Sequence, residues 1–539
     1  MGVDRRDGAV VSKGFRQSQA FLHTWSGLLL GWVLFLVFVA GTIAFWREGL
    51  NRWSRPELAR IEQPMRVLAG AQTFLSRTAP DARNWFIQVA DETAPGAPLF
   101  WVPQPKPGEA PRHRRRADTQ ALIGADGQVA EARETRGGDF FYRFHFDLHY
   151  MPVIWARWLV GFAAIAMLVA ILSGIVTHKK IFRDFFTLRR AKGQRSWLDG
   201  HNATAVLALP FHLMITYTGI VTLMALLMPW AIVANYADER AVDAVVFPTA
   251  AKVERTGRAA PLADLRAIVA DAERRLGSPA GYIEVSDPGD AAARITVSQS
   301  PNSMLSSRTP RLTYDGVSGR LVWQAPVPGA AAQTAGAMIG LHAGRFAGVG
   351  LRWLYFLCGV GGTLMVASGL VLWTVKRREK LPDPARPHIG FRIVERLNVA
   401  TIGGFPLGVA CFFWANRLLA VGLARRAEWE VHMLFIAWGG AAVLALALKP
   451  AKAWPVLLGA TGALLALLPV YNIVATERGM FASLADGDMM LVGVDATMLV
   501  FGAAFLLVAR RVAAYRPVVG RARKPRPAAA APLILEPAE

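Results

Sequence analysis

Leu168-Val-Ala-Ile-Leu-Ser-Gly174-Ile-Val-Thr-His-Lys-Lys180 and Leu364-Met-Val-Ala-Ser-Gly369-Leu-Val-Leu-Trp-Thr-Val-Lys-Arg377 are two versions of one segment. Each carries an apolar run through a Ser-Gly pair and closes it on cations. Each run is entered through Leu-His (Leu148-His149 and Leu341-His342) and then Arg-Trp (Arg157-Trp158 and Arg352-Trp353). Further upstream, His23 to Gly41 and His201 to Gly219 are both separated by 18 residues inside apolar runs. Residues 15–180 and 195–378 therefore read as two copies of helix, long loop, helix. A repeat of this kind marks a duplicated structural unit.

A membrane-spanning helix needs about 20 mostly apolar residues. Runs of that length fall at 21–46, 151–178, 201–233 and 346–375, and four more occupy 397–510, near Leu397 to Ala420, Trp429 to Leu448, Trp454 to Val474 and Met489 to Val508. Eight spans are expected. The fifth is interrupted by Gly403, Gly404, Pro406 and Asn416. The first run is too long for a signal-peptide core, and Trp46-Arg47-Glu48 is no small-residue cleavage site, so it is expected to remain as a helix.

Loop charge orients the spans. The segment 179–200 is basic, 376–396 carries seven Lys or Arg, and the tail after Val508 adds more. Short basic loops stay in the cytoplasm. The long segments 47–150 and 234–345 are nearly balanced, with 15 Lys/Arg against 13 Asp/Glu and 12 against 11. They are placed outside, with residues 1–20 and the basic, disordered tail 511–539 inside. Arg425-Arg426 is the exception, a basic pair on the outer side.

Each long loop reads as a small α+β unit. In the first, an amphipathic stretch Met65 to Arg77 precedes strands at Asn84 to Val89, Leu99 to Val102 and Ala121 to Val129. In the second, a helix from Pro261 to Leu276 precedes strands at Gly281 to Val285, Ala293 to Val297, Pro310 to Tyr314 and Arg320 to Trp323. Asp126-Gly127 and Asp315-Gly316 are hairpin-turn signals.

Composition narrows the functional classes. Of 539 residues, 53% are hydrophobic and 18% charged, against about 25% charged in soluble domains. Only Cys358 and Cys411 occur, which rules out a disulfide scaffold and a multi-thiolate metal site. The formal charge of +21 reflects loop asymmetry rather than a nucleic-acid surface. No nucleotide-binding fingerprint is present.

The order of His23-Thr-Trp-Ser-Gly27, Leu148-His149, Ser173-Gly-Ile-Val-Thr-His178, Leu198-Asp-Gly-His-Asn202, Pro210-Phe-His212, Leu341-His-Ala-Gly344 and Ser368-Gly-Leu-Val-Leu-Trp373 resembles the PepSY-associated transmembrane family. The resemblance covers residues 15–378 and leaves the last four helices outside it. It implies a mainly α, polytopic protein with two PepSY-like periplasmic domains, inserted between helices 1 and 2 and helices 3 and 4. It also implies a bacterial inner membrane and a role among iron-regulated proteins and ferric-siderophore reductases.

Histidines carry the chemistry in this reading. Ionisable groups inside a membrane are costly and invite a functional explanation, and neutral imidazole is a common haem ligand. A lone interfacial histidine is more often a polar group meeting headgroups and water. The repeat, weighted by the resemblance, favours two bis-histidine b-type haems: an outer one on His149 and His342, an inner one on His23 and His201. His178, His212 and His145 are alternative ligands, and His212 shares a helix face with His201. His432 has no evident partner, while His113 and His388 read as solvated. The absence of Cys-x-x-Cys-His excludes covalent haem attachment. Arg112, Arg114, Arg115 and Arg116 form a basic patch that would attract an anionic iron chelate, although a solvated loop is the simpler reading.

The expected partners are a ferric siderophore or other ferric chelate, a quinol or cytoplasmic reductase as electron donor, and the lipid bilayer. The expected activity is reduction of chelated ferric iron outside the membrane. The rival classes are an iron-chelate transporter or permease component, and a non-catalytic sensor or regulator.

Overall fold

The computed structural model describes residues 3–6, 9–12, 14–91, 93–105, 117–177, 189 and 193–515. His113, His178, the patch Arg112, Arg114, Arg115 and Arg116, and the tail from 516 onward lie outside the described residues.

The first copy of the repeat runs α1 (Phe15–Ala44), α2 (Arg47–Trp53), α3 (Pro64–Thr78), β1 (Asn84–Gln88), β2 (Ala97–Val102), β3 (Gln120–Ile123), α4 (Gly137–Asp147) and α5 (Val153–Thr177). The second runs α6 (Gln194–Leu207), α7 (Leu209–Thr222), α8 (Leu265–Leu276), β4 (Ala280–Ser286), β5 (Arg294–Gln299), β6 (Arg311–Asp315), β7 (Leu321–Gln324), α9 (Ala330–Ala343) and α10 (Val349–Arg378). Then follow α11 (Ile389–Asn398), α12 (Gly404–Leu418), α13 (Arg426–Ala447), α14 (Pro450–Ala475) and α15 (Met489–Ala514). Among the described residues, seven helices are long and apolar enough to cross a membrane, and a bent pair makes an eighth. The chain is a multi-pass membrane protein.

Two spans depart from the expected form. The third, read as one run over 201–233, is broken: α6 and α7 meet at 69°. Pro210 lacks the N–H that would bond one turn back, and its ring crowds that carbonyl. The break places His212 in the first turn of α7, its N–H bonded to Ala208 O at 2.8 Å. The fifth span extends back to Ile389 and runs to Leu418. Its Gly403-Gly404-Pro406 interruption is absorbed by a π-helical turn over Val399–Gly403, a form that enters α-helices as single-turn bulges.

The two long loops do not fold as separate domains. Their strands join in one antiparallel sheet of seven, in the order β3-β2-β1-β4-β5-β6-β7. The joint is β1 against β4, with Asn84 opposite Ser286 and Gln88 opposite Tyr282. Asn84 Nδ2 donates across it to Glu284 Oε1 and Ser286 Oγ, both at 3.1 Å. Alternation decides the buried face, since successive strand residues point to opposite sides. Ile283 and Val285 of β4 and Ile295 and Val297 of β5 turn inward, onto Val67, Leu68 and Leu75 of α3 and Leu265, Ile268 and Val269 of α8. Gln72 of α3 both donates to Ala263 O and accepts from Leu265 N at the start of α8. One apolar core thus spans both copies of the repeat.

Asp290 anchors the turn before β5. It accepts hydrogen bonds from the N–H groups of Thr256, Gly257 and Ala292 and from the Thr256 hydroxyl. Burial pushes its carboxyl up, but these donors outweigh burial and hold it well below the usual carboxylate range. A depressed folded pKa means stability that is complete above the unfolded value of about 4 and is lost as pH falls through the folded value. Asp290→Ala is therefore expected to lower the thermal midpoint at pH 7 and to flatten its fall in strong acid. Equal midpoint differences at pH 7 and in strong acid would contradict this assignment.

Candidate functional site

Four histidines meet in two pairs where the copies of the repeat face each other. On the side bearing the basic segment 376–380, His23 of α1 and His201 of α6 have ring centres 6.2 Å apart. On the sheet side, His145 of α4 and His342 of α9 have ring centres 5.8 Å apart. The hydrogen-bond partners of the pairs lie at Ala170 and Val37, and His23 and Val37 are separated by about 21 Å along α1.

All four imidazoles are held alike. His23 Nδ1 donates to Ala170 O at 2.8 Å, and His201 Nδ1 to Met365 O at 2.9 Å. His145 Nδ1 donates to Val37 O at 2.7 Å, and His342 Nδ1 to Ile215 O at 3.0 Å. A carbonyl oxygen only accepts, so in each ring the proton sits on Nδ1 and the lone pair on Nε2. Such a hydrogen bond fixes the tautomer and ring orientation of a metal-binding histidine.

Each ring also lies over a glycine of the adjacent helix in its own repeat. A Cβ at Gly174 would stand 3.2 Å from His23 Cε1, and one at Gly369 would stand 3.1 Å from His201 Cε1. At Gly41 it would come within 2.6 Å of His145 Cε1, and at Gly219 within 2.9 Å of His342 Cε1. These are the Ser-Gly glycines and the glycines at 18-residue spacing in the sequence. They are there because an imidazole occupies the space a side chain would need.

The outer pairing differs from the one drawn from the Leu-His dipeptides. His342 meets His145, not His149. The reason is local: α4 ends at Asp147, and Leu148 takes φ +51°. His145 and His342 each lie in the last turn of their helix, whereas His149 falls past the end of α4. It is exposed, with its ring stacked on Phe435 of α13 at 5.4 Å and 21°.

Between the pairs lies His212, fully buried, its ring edge-on to Phe38 at 6.2 Å. Its Nε2 faces Cys358 O at 3.4 Å, and among the described residues its Nδ1 meets no partner in hydrogen-bond geometry. A cavity of about 590 Å³ is lined by His23, His201 and His212, with Lys376, Arg377 and Lys380 near its basic end. That volume lies in the ordinary range for a cofactor or small-ligand site.

The residues fit a planar metal macrocycle. Ring-centre separations of 6.2 Å and 5.8 Å would leave room for a metal bonded to one nitrogen of each imidazole at about 2 Å. Among the described residues no group of three or more His, Cys, Asp or Glu is placed to hold a metal ion. A macrocycle held by two imidazoles would supply the remaining positions of its metal itself. The cations around the inner cavity suit carboxylate substituents at its rim.

The family described as the PepSY-associated TM region matches residues 20–376. The chain belongs to this family. An uncharacterized protein of Pseudomonas aeruginosa is 26% identical over 361 residues, covering 64% of this chain and 88% of that protein. The match to the PepSY-associated TM region stops where α10 ends, so all four paired histidines lie inside it and α11 to α15 lie beyond it.

Those added helices make one set of contacts the sequence reading missed. The basic pair Arg425-Arg426, expected on the outer side, is not a simple loop charge: Arg426 is fully buried and bonds Glu430, also fully buried, at 2.6 Å. Glu430 further accepts from Asn416 Nδ2, the Thr135 hydroxyl and Arg136 N–H. Arg426 donates to Glu134 O and Asn416 O. The network clamps residues 134–136, the approach to α4. Aromatic packing of Phe140 and Phe141 on Phe412, and of Phe144 on Phe405, continues the grip along α4 itself. The sequence signal was the spacing of four between Arg426 and Glu430, one helical turn.

Proposed function

We propose that this membrane protein is a haem-containing reductase that passes electrons across a bacterial inner membrane to ferric iron held in a siderophore or other chelate. The sheet faces the periplasm in this reading, and both termini face the cytoplasm. The observation that carries the reading is the pair of matched histidine pairs, each ring locked by a backbone carbonyl and seated on a glycine. His23 with His201 would hold the inner b-type haem, and His145 with His342 the outer.

Bound haem supplies reversible one-electron transfer, and the chain supplies position, axial nitrogen and a water-poor surround. His212 stands between the two pairs, and the inner cavity reaches it. The 21 Å of helix between pairs is therefore not bare hydrocarbon. On the substrate side, a chelator built for Fe(III) holds Fe(II) more weakly, so one-electron reduction releases the metal for uptake.

The test is the absorption spectrum of protein purified from haem-replete cells, followed by ferric-chelate reduction. Two b-type haems per chain, reducible by dithionite and reoxidised by a ferric siderophore, are expected. Colourless protein from such cells would overturn the reading.

A further inference from the structure

Of the histidines that the paired reading leaves unused, the structure brings two together. His149 follows α4, and His432 lies in the second turn of α13. Tyr150 joins them: its hydroxyl is hydrogen-bonded to His432 Nδ1, and its ring stacks on His432 at 13°. The His149 ring lies 4.3 Å from the Tyr150 ring, and Phe435 packs against both. Trp429 stands edge-on to His432 at 5.3 Å. The Glu428 carboxylate, ion-paired with Arg425, lies one helical turn before His432 on α13.

Three properties set this cluster apart from core packing. It is open: Tyr150 is 62% exposed and Trp429 42%, beside the exposed Ile154 and Trp155 at the start of a membrane helix. It is strained: Leu148 and Tyr150, flanking His149, both have positive φ without being glycine. Such backbone is seen chiefly at functional sites. It also combines flat aromatic walls with two imidazoles, a phenol and a carboxylate, all groups that exchange protons.

We propose that His149, Tyr150, His432 and Glu428, walled by Trp429 and Phe435, bind the headgroup of a lipid quinol, a second reductant for the activity above that enters at the outer pair rather than by the route across the membrane. The proposal rests on that reading for the destination of the electrons. A quinol is a flat ring with two para hydroxyls, and its tail keeps it in the bilayer onto which this cluster opens. Oxidation breaks both O–H bonds. The two protons pass to imidazole or carboxylate and then to water, and the two electrons reduce two ferric ions to ferrous. One quinol thus becomes one quinone, with two protons released and two Fe(III) converted to Fe(II). His149 is four residues from His145, so the cluster lies within about 14 Å of the outer pair even along a fully extended chain.

The test is quinone binding to the full-length protein in lipid nanodiscs, with decylubiquinone and a menaquinone analogue as calorimetric probes and an azido-quinone as photolabel. Binding by either probe is expected, with label on peptides holding His149–Tyr150 and Trp429–Phe435. His432→Ala and the milder Tyr150→Phe are each expected to weaken binding at least tenfold while keeping the thermal midpoint. Unchanged affinity in Tyr150→Phe and in a folded His432→Gln, or label confined to the cavity beside His212, would overturn the site. Binding needs no haem, so colourless protein that still binds quinone here would sink the reductase reading and leave this site standing. Haem-loaded protein that binds quinone at neither probe would sink the site alone.

Discussion

With the two proposed haems bound, replacing His342 by alanine is expected to remove one of the two haem signals, and replacing His145 is expected to remove the same one. His149→Ala is expected to keep both. The three substitutions discriminate because the rings are so differently placed. His145 and His342 face each other at 5.8 Å with Nδ1 tied to Val37 O and Ile215 O, whereas His149 is stacked outside on Phe435. Loss of one axial imidazole leaves its partner ring nothing to bridge, so haem content should fall from two to one per chain. In the proposed reductase, whose outer site faces the substrate, ferric-chelate reduction should drop by about 100-fold. Haem content and the split of the reduced α-band check this directly. Loss of a signal in His149→Ala, with none in His145→Ala, would restore the pairing suggested by the Leu-His dipeptides.

The second large effect is expected at a distance from any cofactor. Glu430→Ala strips the partner from Arg426, and both groups are fully buried. Breaking a buried pair by removing one member costs about 3–5 kcal/mol, because the other charge is left uncompensated. Asn416, Thr135 and Arg136 lose an acceptor as well. Because this network fixes the approach to α4, the outer haem signal should weaken before the inner one as the variant is warmed in detergent. Simultaneous loss of both signals at an unchanged midpoint would show that α13 does not steady α4.

Much of this architecture was legible in the sequence, and what escaped it has physical reasons. Spans, short strands and the duplication rest on local patterns: apolar run length, alternation, and repeated Ser-Gly and His-to-Gly spacing. The joint between β1 and β4 could not be seen that way, because Asn84 and Ser286 are paired across two hundred residues of chain. His145 was only an alternative because Leu148-His149 copies Leu341-His342 letter for letter. The backbone overrides that likeness by ending α4 before His149. Pro210 makes the bend readable in principle. Its apolar surroundings read as one continuous run all the same. Arg426 stands as an exception to the charge count because a buried cation in an ion pair says nothing about which side of a membrane its loop occupies.

The shared sheet has a mechanical consequence. Transporters built from repeats commonly work by rocking one half against the other about a central site. Here the halves are laced together at one end by the β1–β4 ladder and by a hydrophobic core drawn from both. Opening a path between the halves on that side would mean unzipping a sheet in its middle and exposing its core with each cycle. A rigid frame of this kind is poor at moving cargo and good at holding fixed distances, which is what electron transfer between stationary sites requires.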